Sequence, residues 1–143
     1  MPALRVDGVT GRRDRVLATL AVLMGLLAFS NLMKPVAQTL RPESSTGFVF
    51  FGTRLHGLAN AVVGPLFGLL LAVYAWAAWN RRRIALPIAL VYAVYVPVNM
   101  ILFARHPPPN SGGPLFAAVY ALVAIGVSAG GALYLLTHRD TLR

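Results

Sequence analysis

Four apolar runs, each about 18 residues or longer and each free of acidic residues, constrain this chain more than any other feature. An α-helix rises about 1.5 Å per residue and bilayer hydrocarbon is about 30 Å thick, so each run can cross a membrane. The runs lie at residues 15–33, 57–79, 84–104 and 114–137. Helix is their expected state, because a helix satisfies its own backbone where water is absent. Composition agrees: 57% of the residues are hydrophobic and 12% charged, against about 45–50% and about 25% in a soluble domain. The expected fold is all-α, an integral membrane bundle of four transmembrane helices in a single domain over residues 1–143.

The first run follows Arg12, Arg13 and Arg15, as the apolar part of a secretory signal would. Its apolar core exceeds the usual length of about 7–15 residues, and Asn31-Leu32-Met33-Lys34 is unlike a processing site, so it is read as a retained span.

Direction follows from the basic residues. With an even number of spans, the N-terminal segment, the loop at 80–83 and the C-terminal tail share one side. That side holds Arg5, Arg12, Arg13, Arg15, Arg81, Arg82, Arg83, Arg139 and Arg143, nine of the thirteen Lys and Arg. Basic loops stay in the cytoplasm, so both termini are expected there and the protein is expected in the cell membrane. Trp76 and Trp79 fall where span two meets that interface. The net charge of +9 is thus a topology signal with an affinity for anionic lipid, and no nucleic-acid partner is expected.

The opposite side carries an outer loop at 34–56 and another at 105–113. The second contains Pro107, Pro108, Pro109, Gly112 and Gly113, which disfavour helix. In the first, residues 41–47 read as a turn and 48–51 as an apolar stretch in the outer interface. Residues 48–79 as one helix would reach about 48 Å, too long to cross without strong tilt. Two readings follow: a helix starting near Gly57 and kinked at Pro65, which is the expectation, or a break that leaves 48–63 as a separate interfacial or re-entrant piece. Pro97 is expected to kink span three, freeing the carbonyl of Ala93. The tetrapeptide Gly64-Pro65-Leu66-Phe67 recurs as Gly113-Pro114-Leu115-Phe116, though the two copies stand at different depths of their spans.

Helices in lipid gain little from hydrophobic burial and associate through close packing. Gly64 and Gly68 form a GxxxG pair extended by Asn60 and Ala72, and Gly126 and Gly130 form a second. Ala85, Ala89 and Ala93 line span three, and Ala21 and Gly25 mark span one. These rows serve packing within one bundle or, in the sharper reading, a dimer seam.

Polar groups inside hydrocarbon are costly and mark function or specific packing. Asn31, Asn60 and Asn99 all fall in the outer half of the bilayer, with Arg54 and His56 at the mouth of span two and Arg105 and His106 at that of span three. Tyr92, Tyr95 and Asn99 share a helical face. Asn31, Arg54, His56, Asn60, Tyr92, Tyr95 and Asn99 are therefore the candidate polar pocket, suited to a neutral polar or anionic ligand or a lipid headgroup. The competing reading has the amides bridging helices and the tyrosines filling the core, at roughly 0.6 to 2 kcal/mol per interhelical hydrogen bond.

The chemistry available is narrow. No cysteine is present, which excludes disulfides and thiolate sites. The four acids, Asp7, Asp14, Glu43 and Asp140, all lie outside the spans, so paired-carboxylate catalysis and carboxylate-borne proton coupling within the membrane are excluded. His56 and His106 alone are a weak basis for a metal or haem, and no cofactor is expected. The function expected is a non-catalytic accessory, lipid-binding or assembly component, with membrane lipids and a second copy or another membrane protein as partners. The alternatives are an oligomeric channel or facilitator for a small polar or anionic solute, and an enzyme acting on a lipid-soluble substrate through Tyr, His, Arg and Asn.

Overall fold

The computed structural model describes residues 7–41, 47–106 and 113–143, with side chains from residue 15 onward. The prolines at 107–109 and the turn centred on 42–46 lie outside the described residues. Four α-helices make up most of the remainder: α1 (Asp7–Leu40), α2 (Gly57–Trp79), α3 (Ala85–Arg105) and α4 (Pro114–Thr137). All four contain segments long and apolar enough to cross a membrane: Arg15–Leu40, Gly57–Trp79, Ala85–Arg105 and Pro114–Thr137. The chain has the character of a multi-pass membrane protein. Large apolar side chains cover its outside, with Leu58 81% and Leu122 76% exposed, a surface that water-soluble monomers do not carry.

Two features depart from the hydropathy reading. First, α1 does not stop at Met33 but runs through Lys34 and Pro35 to Leu40, into the segment expected as loop. Proline removes the N–H that would reach the Asn31 carbonyl, yet the helix continues because its last turns are tied down. The Thr39 hydroxyl donates to the Val36 carbonyl (2.8 Å), the Arg41 amide to the Ala37 carbonyl (3.0 Å), and the Asn60 side-chain amide to Gln38 (2.7 Å). Second, α2 begins at Gly57 with Pro65 inside it, as expected, but the residues before it form a short antiparallel hairpin, β1 (Val49–Phe50) and β2 (Thr53–Arg54), that the hydropathy reading does not contain. Val49 pairs with Arg54 and Phe50 with Thr53.

The helices associate as two pairs, α1 along α2 and α3 along α4, while the α2 and α3 backbones meet at few positions. The α1–α2 contact is antiparallel and close. A Cβ added at Gly68 would lie 2.9 Å from the Ala28 carbonyl oxygen, and one at Gly64 would lie 3.5 Å from that of Asn31. By contrast, nothing stands within 4 Å of a Cβ built on Gly126 or Gly130, both of which are exposed on α4. The common core joins Leu20, Met24 and Ala28 of α1, Leu71, Tyr74 and Ala78 of α2, Ala85 and Ala89 of α3, and Ala132 and Leu135 of α4. At the end of the molecule formed by the α2–α3 loop, the Arg143 amide donates to the Arg81 carbonyl (2.7 Å) and the Arg83 amide to the Arg143 carbonyl (3.0 Å). The buried side chain of Leu142 seats this tail against the core.

The two glycine pairs should therefore respond differently to one added methyl. Gly68→Ala, which forces α1 and α2 apart, is expected to destabilise the protein by about 1–3 kcal/mol. Gly126→Ala and Gly130→Ala should stay within about 0.5 kcal/mol of the parent. Thermal unfolding of detergent-solubilised variants measures the contrast, and equal losses at Gly68 and Gly126 would contradict the packing described.

Candidate functional site

The site is built on the hairpin, at the end of the bundle opposite the α2–α3 loop. Its turn, Phe51-Gly52, has positive φ at both central residues (45° and 78°). This is the signature of a type I′ two-residue turn, whose twist matches that of the flanking strands. Glycine accepts such a φ readily, whereas phenylalanine does so at a cost. Gly52 is required for a second reason: a Cβ there would lie 2.6 Å from the Leu102 backbone of α3. Phe51 is held by edge-on contacts with Phe50 (centroids 4.8 Å apart) and Tyr95 (5.6 Å).

Beyond its two residue pairs and the bond from the Leu55 amide to the Phe48 carbonyl (2.8 Å), the hairpin has backbone groups that need partners elsewhere, because unpaired backbone is costly in apolar surroundings. The helices supply partners for three of these groups, the Phe48 and Gly52 amides and the Val49 carbonyl. Asn60, fully buried on α2, accepts from the Phe48 amide through Oδ1 (2.7 Å) and donates through Nδ2 to Gln38 of α1 (2.7 Å). Asn99 of α3 accepts from the Gly52 amide (2.9 Å) and donates to the Val49 carbonyl (3.4 Å). The Tyr95 hydroxyl donates to the same carbonyl (3.1 Å). The hairpin is thus anchored directly to α2 and α3, and through Asn60 to α1.

Aromatic rings continue the joint inward. Phe67 of α2 packs against Phe48 (4.9 Å), Tyr95 (5.1 Å) and Tyr92 (6.2 Å), and Tyr92 meets Tyr74 edge-on at 6.4 Å. These rings join α2 to α3 where their backbones stand apart, each pair contributing about 0.5–1.5 kcal/mol beyond burial.

The other candidate residues fall nearby in different settings. Asn31, buried on α1, donates to the Leu27 carbonyl of its own helix (2.9 Å), and its Oδ1 is buried without a hydrogen-bond partner. Arg54 in β2 is half-buried, with Nε likewise buried and unpartnered. His56 is exposed just before α2, its Nδ1 3.4 Å from Gln38 Nε2. Tyr92 engages through its ring. Beside the hairpin, a shallow groove lined by Phe51, Leu90, Val91, Val94, Tyr95 and Val98 is almost wholly apolar. No group of three or more His, Asp or Glu residues that could hold a metal gathers among the described residues.

Three participants escape a reading of the sequence alone: Lys34, Gln38 and Phe48. Lys34 Nζ lies over the Phe48 ring, 4.6 Å from its centroid. Asn31, Lys34 and Gln38 follow one another at intervals of three and four, a single helical face. That spacing would have revealed them had the helix been carried through Pro35.

Asn60→Ala is expected to cost about 1–3 kcal/mol, because it strands the buried Phe48 amide. Asn99→Ala should accelerate hydrogen exchange at Gly52 well before it affects the middle of α2. Amide exchange in detergent micelles reads both effects, and unchanged protection at Gly52 in Asn99→Ala would remove Asn99 from the clamp.

The chain matches no family model, no curated protein and no solved structure in comparisons with each.

Proposed function

We propose that this chain is a non-catalytic component of the cell membrane, with both termini in the cytoplasm and a fixed hairpin on the outer face, acting by binding lipid or by assembling with another membrane protein. One observation carries the reading. Asn60, Asn99 and Tyr95, polar groups that a channel or an enzyme would turn toward a solute, direct their hydrogen bonds at the hairpin backbone. The groove beside them is apolar, which suits an acyl chain or a helix face better than a polar solute. On this reading Gly64 and Gly68 serve the α1–α2 contact, and Gly126 and Gly130 lie on a face open to lipid or to a second chain.

The orientation is supported by nine basic residues on the side assigned to the cytoplasm. The Arg82 guanidinium, 5.9 Å from the Trp76 ring, combines the basic and aromatic character of that interface.

Because the chain has no cysteine, single introduced thiols report sidedness cleanly. In intact cells, Thr53→Cys should react with a membrane-impermeant maleimide, and Arg82→Cys only after permeabilisation. The reverse pattern would overturn the orientation. Proteoliposomes holding the purified chain should release trapped ions and small neutral solutes no faster than empty liposomes. Solute-selective release abolished by Asn99→Ala would favour a channel instead.

A further inference from the structure

At the end of the bundle away from the hairpin, α2 stops in a turn that glycine usually makes. The Arg82 amide donates back to the Ala77 carbonyl (2.7 Å) and the Arg81 amide to that of Ala78 (3.2 Å), the two bonds of a Schellman cap. The residue at its left-handed position is Arg81, with φ of 53°, where a β-carbon is unfavourable and glycine is the common choice. Backbone strain of this kind persists only where the surroundings fix it, and it gathers at sites with a task. Here the surroundings are the segment after α4. The Arg143 amide donates to the Arg81 carbonyl (2.7 Å), the Arg83 amide donates to the Arg143 carbonyl (3.0 Å), and Arg83 Nε reaches the Leu142 carbonyl (3.5 Å). Leu142 itself is buried in the core, so the segment is seated as well as bonded.

The result is a cationic surface made from two distant pieces of chain. Arg82, Arg83, Arg139 and Arg143 are exposed on it, and Asp140 is the one acid in residues 80–83 and 138–143. The surface lies where three spans end, after Trp79 and Thr137 and before Ala85. Trp76 and Trp79, 55% and 61% exposed, stand at the same end of α2, and the Arg82 guanidinium lies 5.9 Å from the Trp76 ring. Exposed indoles at the end of a span sit at the level of the headgroups, so the guanidinium groups beside them meet phosphate esters rather than acyl chains. Guanidinium binds a phosphate oxyanion through paired hydrogen bonds and keeps its charge at any physiological pH. A loop that served as a topology signal alone would need its charges and no fixed geometry. This loop is bonded on both sides of Arg143 to a segment that adds cations to it.

We propose that the α2–α3 loop and the segment after α4 together form a binding site for the headgroup of an acidic phospholipid, with Arg82, Arg83 and Arg143 as its cations and Leu142 as the residue that holds its two halves together. Such a site rests on the lipid-binding reading above and gives it a place. Membrane orientation and solute flux do not bear on it, because its affinity is measured in detergent.

The test is a titration of the whole chain, purified in neutral detergent, with phosphatidylglycerol or with phosphatidylcholine, read by native mass spectrometry. Phosphatidylglycerol should bind at least tenfold more tightly. R82Q, R83Q and R143Q should each lower its affinity about fivefold or more, and R105Q, an exposed cation at the hairpin end, should leave it within about twofold of the parent. The decisive variant is L142N, which keeps every charge but unseats the segment. It should weaken phosphatidylglycerol binding as much as R143Q does, while the Arg83 amide, released from Arg143, exchanges its hydrogen faster and the middle of α2 stays protected. Full affinity in L142N would show that charge alone attracts the lipid, and would overturn the site. An Arg83 amide that stays protected in L142N, no loss in R143Q, or a loss in R105Q as large as in R143Q would overturn it too. So would displacement of the lipid by millimolar inorganic phosphate, which would assign the cations to a free anion. Equal affinity for the two lipids would overturn the site and leave lipid binding standing, whereas no bound lipid of either kind would overturn both. Circular dichroism and monodispersity establish that each variant is folded, and if L142N does not fold, L142A takes its place.

Discussion

Irregular backbone among apolar helices survives only where something satisfies its amides and carbonyls, and that requirement organises this molecule. The hairpin supplies two residue pairs of its own. Asn60, Asn99 and Tyr95 supply much of the rest, each from a helix and each to a backbone group of the segment between Phe48 and Gly52. An asparagine suits this work because its amide donates and accepts at once. Asn60 therefore serves the Phe48 amide and Gln38 together, fastening α1, α2 and the hairpin at a single buried point.

The helix pairs are joined by different means. Between α1 and α2 the glycines allow backbone to approach backbone, and dispersion across a close contact does the work that water would do for a soluble bundle. Between α2 and α3 the joint is made of rings at the hairpin end, from Phe48 through Phe67 and Tyr92 to Tyr74, and of small alanines, Ala77, Ala78, Ala85 and Ala89, near the tight loop. Side-chain size thus grades from one end to the other, and the hairpin sits at the end with the large rings.

The spans were legible because hydropathy and length alone identify them: α2 and α4 coincide with runs read from the sequence, and α3 differs by a residue. The end of α1 was not, because local proline chemistry argues for a stop at Lys34-Pro35, while the contacts that carry the helix onward come from Asn60, distant in sequence. Strands of two residues have no periodicity to detect, so the hairpin was also hidden. The one local clue was Phe51-Gly52 between β-prone neighbours, with phenylalanine where asparagine is the usual turn residue. The amides at 60 and 99 stood out as polar groups in apolar runs. Their acceptors and donors did not, since backbone groups leave no mark in a sequence.

The reach of the Asn99 contacts has a consequence for biosynthesis. Its bonds to Gly52 and Val49 close loops of 47 and 50 residues, and α3 follows the hairpin in the chain. The hairpin segment must therefore emerge from the ribosome, and α2 must be inserted, before its main tethers exist. Until α3 arrives, the Gly52 amide and the Val49 carbonyl lack these partners, so the hairpin sets only after a helix translated well after it.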